Sequence, residues 1–203
     1  MHKKSLDISS SVEWLNNGKI LAHPTEGIWG LGCNALDKNS FNKLYDLKKR
    51  NHNKSFILLV QSVESIKKYL NKISKEDTDY LDKVWPGSTT ILISYNDNLP
   101  IHLHNNTGKL AIRVSNHLPL KQLIEGFNGF MVSTSANISG EPNINNPDKI
   151  LDTNGLNNLR KLEVSKSGWM KFEPFEGLLN INDMDYTIGR SPLGEAMDDF
   201  CGD

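Results

Sequence analysis

Apolar residues gather along the chain in short runs, separated by longer stretches in which they recur every third or fourth position. The runs predict strands: KILAH at 19–23, SFILLV at 55–60, TTILIS at 89–94, LAIRVS at 110–115 and FMVS at 130–133. The helical spacing is clearest at Phe41, Leu44, Tyr45 and Lys48, which predict a helix over 40–49 with basic residues at its C-terminal end. Leu120, Leu123, Ile124 and Phe127 mark a second helix, started by Pro119. Ser62 and Ser74 are N-caps for helices over 63–70 and 75–84, and Trp85-Pro86-Gly87 ends the latter. Near the start, Ser10-Ser11-Val12-Glu13 has the form of a capping box, with a short helix closed by Gly18. The segment 24–33 reads as a glycine-rich turn and 96–109 as a polar loop. Asn146-Pro147-Asp148 opens one more short helix, and weak signals at 164–169, 178–182 and 186–189 suggest short strands. Strands and helices interleave throughout, which predicts an α/β sheet fold.

At 203 residues the chain is long enough for about one domain and needs no disulfide or metal to fold. Cys33 and Cys201 exclude a disulfide framework, and no Cys/His spacing suits zinc. No apolar run approaches a membrane span, and no apolar segment follows Lys3 and Lys4, so a cytoplasmic protein is expected. The net charge of −1 excludes a generally basic nucleic-acid coat protein. The charge is nevertheless uneven. Residues 37–54 carry five lysines and Arg50 against two aspartates, whereas 173–203 carry eight acids against Arg190 alone. Only four of the 23 basic residues are arginine, so Arg50, Arg113, Arg160 and Arg190 are candidates for places where a planar fork matters.

Four segments carry candidate chemistry. HPTEGIWGLGC at 23–33 has glycines that allow close backbone approach, and Thr25 and Glu26 offer a hydroxyl and a carboxylate at a strand end. It matches neither the Walker A loop nor the dinucleotide fingerprint. Lys48, Lys49, Arg50 and Lys54 can converge on one anion if the helix stops near Lys49, and a triphosphate has matching charge. Otherwise they form a solvated patch. Arg113 inside an apolar strand needs a partner, which a substrate carboxylate or a structural Asp/Glu would supply. Ser133, Thr134, Ser135, Asn137 and Ser139 follow a strand closely, where they can cap a helix or bind phosphate and ribose oxygens.

Together PTEGIWGLGC, LKKRNHNK, WPGSTTILI, LAIRV and VSTSANISG resemble the YrdC/Sua5 family in order and spacing, most strongly over 11–142. The resemblance implies one YrdC-like domain over 1–203 in the short form of the family, with 155–203 poorly matched. It implies a twisted open mixed sheet flanked by helices, with a concave basic face. The activity it implies is threonylcarbamoyl-AMP synthesis. L-threonine, bicarbonate and ATP, with Mg2+ accompanying the ATP, give threonylcarbamoyl-adenylate and pyrophosphate. The product feeds threonylcarbamoyladenosine formation on tRNA by a downstream threonylcarbamoyl transferase complex. Carried over residue by residue, Lys48 and Arg50 form the phosphate-binding pair, extended by Lys54. Thr90, Ser133, Ser135 and Asn137 lie near ATP or the intermediate. Thr25, Arg113 and Thr134 serve threonine, with Arg113 on its carboxylate.

The chain departs from the family pattern at three places. His23 stands where a tyrosine is usual, and Asn51 where a proline is usual. No Pro-Ser-x-Ile-x-Asp motif follows Pro174, whose neighbours are Phe175 and Glu176. The alternative is a non-catalytic or degenerate member that binds RNA through phosphates and shape in tRNA or rRNA maturation. For the synthase weak tRNA binding and no membrane partner are expected, and no classical nucleophile or acid–base pair is identified.

Overall fold

The computed structural model describes residues 5–50, 55–144, 146, 149–150, 159–162 and the backbone of 178–180. The strands are β1 (Ser5–Leu6), β2 (Leu21–Pro24), β3 (Trp29–Asn34), β4 (Ile57–Leu59), β5 (Thr90–Ser94), β6 (Lys109–Arg113), β7 (Met131–Ser135), β8 (Arg160–Leu162) and β9 (Leu178–Asn180). They form one open mixed sheet in the order β1-β8-β2-β3-β7-β4-β6-β5-β9. The helices are α1 (Ile8–Asn16), α2 (Lys38–Lys48), α3 (Val63–Ile66), α4 (Lys75–Val84) and α5 (Leu118–Phe127).

Alternation along the strands sorts side chains onto two faces. Ala22, Leu31, Cys33, Leu58, Ile91, Ile112 and Val132 point to one face, where Phe41, Leu44 and Tyr45 of α2 complete the larger core. Leu21, Leu59, Met131 and Leu162 point to the other, beneath Leu15 of α1 and Leu120, Leu123, Ile124 and Phe127 of α5. Both faces are thus covered, as a sheet of this kind requires.

Several boundaries differ from the sequence expectation. α1 starts before the Ser10 box because Asp7 is its N-cap and accepts from the Ser10 N–H at 2.8 Å. Gly18 closes it as expected, at φ +64°. α2 starts at Lys38, since Asp37 accepts from the N–H groups of Asn39 and Ser40. The helix expected over 63–70 is two pieces, α3 and a 3-10 turn at Lys67–Tyr69, because Leu70 bridges to Tyr95. The strand expected over 110–115 ends at Arg113, after which the chain turns at Ser115.

The largest correction concerns the glycine-rich segment. Only residues 25–28 make a turn, and Gly30 and Gly32 lie within β3, paired with β2 and β7. β8 went unforeseen, because three residues carry too little pattern. The helix expected to open at Asn146 is borne out at its start: residues 149–150 are helical, Ile150 N–H donates to Asn146 O at 3.2 Å, and Lys149 N–H donates to Asn146 Oδ1 at 3.4 Å. Of the expected late strands, Leu178–Asn180 pairs parallel with β5, whereas 164–169 and 186–189 lie outside the described residues.

Candidate functional site

The face beneath α1 and α5 becomes polar toward the ends of β2, β6 and β7. His23, Ser133, Ser135 and Arg113 all point to it, and Thr90 lies on it one position beyond the Ile91–Ile112 pair. Three clusters occupy this region.

The first joins α2 to the segment after β7. Lys48 is 1% exposed, and its Nζ donates to Ser135 O (2.8 Å), Ser135 Oγ (3.2 Å) and Asn137 Oδ1 (2.5 Å). Asn137 in turn donates to Glu141 O, and Ser139 N–H donates to Lys48 O. The hydroxyl-rich run therefore caps no helix. It leaves β7 as a loop tied to the end of α2. Lys49 adopts φ +51°, which turns the chain sharply and brings Arg50 inward. Arg50 is buried, donating to Ser55 O at 2.8 Å with its guanidinium 5.0 Å from the Phe56 ring. Lys48 and Arg50 are thus interior groups rather than a solvated patch. Lys54 and Asn51 lie outside the described residues.

The second cluster is built on Arg113. Its Nη2 lies 3.0 Å from Glu26 Oε2, and its Nε donates to Gly87 O at 3.3 Å. Of the two partners open to this arginine, the structure supplies a carboxylate of the protein itself. Ser115 Oγ donates to Glu26 Oε1 at 2.5 Å and accepts from His117 N–H. The Trp-Pro-Gly segment braces the arginine from behind, with Trp85 Nε1 donating to Thr89 O and Gly87 N–H to Val114 O. Burial lowers the Arg113 pKa, while the adjacent Glu26 charge and hydrogen bond oppose that shift. Thr90, with no exposure, has a hydroxyl without a hydrogen-bond partner among the described residues.

The third cluster is His23 and Ser133. His23 has no exposure, and its Nδ1 lies 3.1 Å from Pro24 O. A carbonyl only accepts, so Nδ1 carries the proton, and Nε2 accepts from Ser133 Oγ at 3.1 Å. Burial pushes the His23 pKa down to about 4, against the raising effects of the Pro24 carbonyl and Glu26. The ring crosses Gly30 and Gly32, where a Cβ would lie 2.8 and 3.1 Å from ring atoms. At Gly32 that Cβ would also meet Val132 O at 2.9 Å and Met131 Sδ at 3.0 Å, so β3 has no room for a side chain at either position.

Thr25 spends its hydroxyl on the β2–β3 turn. It donates to Ile28 O at 2.7 Å and accepts from the Gly27 and Ile28 N–H groups. Thr134 lies between Ser133 and Ser135 on β7, so alternation turns it to the face opposite Arg113. The structure brings Lys48, Ser135 and Asn137 into one cluster and sets Thr90 beside Arg113. It does not bring Thr134 to Arg113. Glu26, Ser115 and His117 are the residues that sequence reasoning left without a role. The available signal was the buried arginine's need for a partner, combined with a carboxylate at a strand end.

The fold is thus a mixed α/β sheet whose helix end and strand ends hold buried cations beside hydroxyls, amides and a carboxylate. A family model called Sua5_yciO_yrdC, with the description "Telomere recombination", matches residues 13–159, and the chain belongs to that family. It is 38% identical over 133 residues to the threonylcarbamoyl-AMP synthase of Saccharophagus degradans, covering 66% of this chain and 70% of that one. Its fold matches that of P. abyssi Sua5 complexed with L-threonine, with a TM-score of 0.76 and 24% identity over 87% of this chain. The chain spans about half of that protein's length, 51%. E. coli YciO gives the same TM-score, 0.76, at 19% identity over 93% of this chain and 90% of that one. At such identities the two structures establish the fold.

Proposed function

We propose that the protein is a threonylcarbamoyl-AMP synthase, acting as one YrdC-like unit on L-threonine, bicarbonate and ATP. The observation that carries the proposal is the Lys48 ammonium fixed among Ser135 and Asn137, which joins two distant motifs at one buried point. The relatives named threonylcarbamoyl-AMP synthase support the same reading.

In this reading Lys48, Arg50 and Lys54 neutralise the triphosphate on a concave basic face, and Mg2+ arrives with it. Magnesium held mainly by substrate phosphates needs no dedicated protein cage. Thr90, Ser133, Ser135 and Asn137 bind the rest of ATP and the adenylate. Arg113 takes the threonine carboxylate, and Thr25 and Thr134 complete that side. The carbamate oxygen is already anionic and attacks the α-phosphorus directly, displacing pyrophosphate. The residues therefore contribute position and charge stabilisation. No helix among the described residues is long and apolar enough to cross a membrane. We place the protein in the cytoplasm, passing its adenylate to a threonylcarbamoyl transferase complex.

The test is pyrophosphate release and adenylate formation from threonine, bicarbonate and ATP. Both should require all three substrates, and Lys48→Met should lower kcat/KM for ATP at least about tenfold, a loss of about 1.4 kcal/mol. Threonine-independent ATP consumption, or an unaffected Lys48→Met variant, sinks the proposal.

A further inference from the structure

Glu26 is the one carboxylate shown in the Arg113 cluster, and the reading above gives it no task. It is 16% exposed, and its two oxygens are divided between Arg113 Nη2 at 3.0 Å and Ser115 Oγ at 2.5 Å. Arg113 uses Nε on Gly87 O and Nη2 on Glu26, so its Nη1 end has no partner among the described residues. A cation with an open end and an anion about one hydrogen bond away match the two charges of an amino-acid zwitterion.

The chemistry asks for more than binding. Threonine is an ammonium ion near neutral pH, and an ammonium nitrogen has no lone pair with which to attack carbon. Making the carbamate removes two protons from that nitrogen. One leaves with the bicarbonate hydroxyl as water, and the other must be taken up.

We infer that Glu26 receives the ammonium group of the amino acid and is the base that accepts this second proton as the carbamate forms. The proposal rests on the synthase reading. Ammonium, bicarbonate and the Glu26 carboxylate give carbamate, water and the Glu26 carboxylic acid. The N–C bond forms and the C–OH bond of bicarbonate breaks, with no change of oxidation state. Glu26 then returns its proton to solvent. Ser115 fixes the far oxygen, so the oxygen nearest Arg113 faces the amine.

The titratable and charged groups around Glu26 among the described residues are Arg113 on β6, His117 beyond it and His23 on β2. His23 stays neutral above pH 6. The same comparison in a His117→Gln background removes that imidazole from the profile, and interconversion of bicarbonate and CO2 is common to parent and variant and cancels in their ratio.

The experiment measures kcat/KM for threonine from pH 6.5 to 8.5 in the parent, Glu26→Gln and Glu26→Asp, after thermal melting shows that each folds. Without the base, only the free amine reacts. The Glu26→Gln-to-parent ratio should then rise about tenfold per pH unit below the amine pKa. Glu26→Asp keeps a carboxylate, so its ratio should be low but flat. A flat ratio for Glu26→Gln, or equal slopes for Gln and Asp, makes Glu26 only a brace for Arg113 and overturns the inference. A parent that makes no adenylate overturns the synthase reading and this inference with it. An active parent with a flat Gln ratio overturns the inference alone.

Discussion

A histidine sealed between a carbonyl and a serine behaves as a neutral acceptor. The folded pKa of His23, about 4, lies below the unfolded value near 6.5, so protons bind the unfolded chain first. The stability that His23 contributes is therefore fully present above pH 6.5. It declines as pH falls from 6.5 toward 4. At 1.36 kcal/mol per unit the loss is about 3 kcal/mol. Urea unfolding of the parent and of His23→Tyr at pH 7 and pH 4.5 checks this, and the variant should lose distinctly less stability between them. Parallel losses would assign the pH dependence to other groups. Residue types were legible in the sequence here, but partners were not. Arg113 plainly needed an anion, yet nothing in a linear pattern says that a turn after β2 brings Glu26 to it. His23 stood out only as a departure from a family pattern. Its role emerges from the register that stacks it over two glycines.

Elements were easiest to read where periodicity and capping agree. α5 falls nearly where the pattern puts it, because Leu120, Leu123, Ile124 and Phe127 make one continuous apolar side. β3 misled because Gly30 and Gly32 look like turn residues, whereas here they clear space for a neighbouring ring. A Cβ at Gly30 would meet His23 Cε1 at 2.8 Å and Thr134 O at 3.1 Å. Gly30→Ala should cost about 1–3 kcal/mol, the usual range for overpacking. Adding His23→Ala should restore part of that loss, since one of the two clashes disappears. Urea midpoints of the four proteins in the cycle test it, and strict additivity would show that the ring is not the obstacle. Lys48 illustrates the converse. It lies on the apolar side of its helix, a position that reads as a mismatch, and under the proposed function that mismatch marks the phosphate site.

For the molecule as a whole, charge arithmetic was legible and strand order was not. The segment 37–54 carries net +4, six basic minus two acidic residues, and 173–203 carries −7, one basic minus eight. The structure sharpens the consequence. Lys48 and Arg50, two of the six, lie in the interior, and in the proposed reaction they serve the triphosphate, so little of the patch remains for an RNA backbone. Binding of tRNA should therefore be weak and strongly salt-dependent, and adenylate formation should proceed without it. Adenylate yield with and without tRNA near physiological salt decides this. A strict requirement for tRNA would favour an RNA-binding role. The sheet order could not be read from pattern, because periodicity describes each strand alone and says nothing of its neighbours.

That order has a consequence for synthesis on the ribosome. β8 sits between β1 and β2, so the strand nearest the start of the chain has no sheet to join until residues 160–162 have emerged. Until then a nascent chain carries β2 as an open edge, with unpaired backbone groups of the kind that recruit other chains. Closing a loop this long adds only a slowly growing entropy cost, so the delay is one of translation time more than of thermodynamics. The N-terminal edge is thus translated first and sealed late.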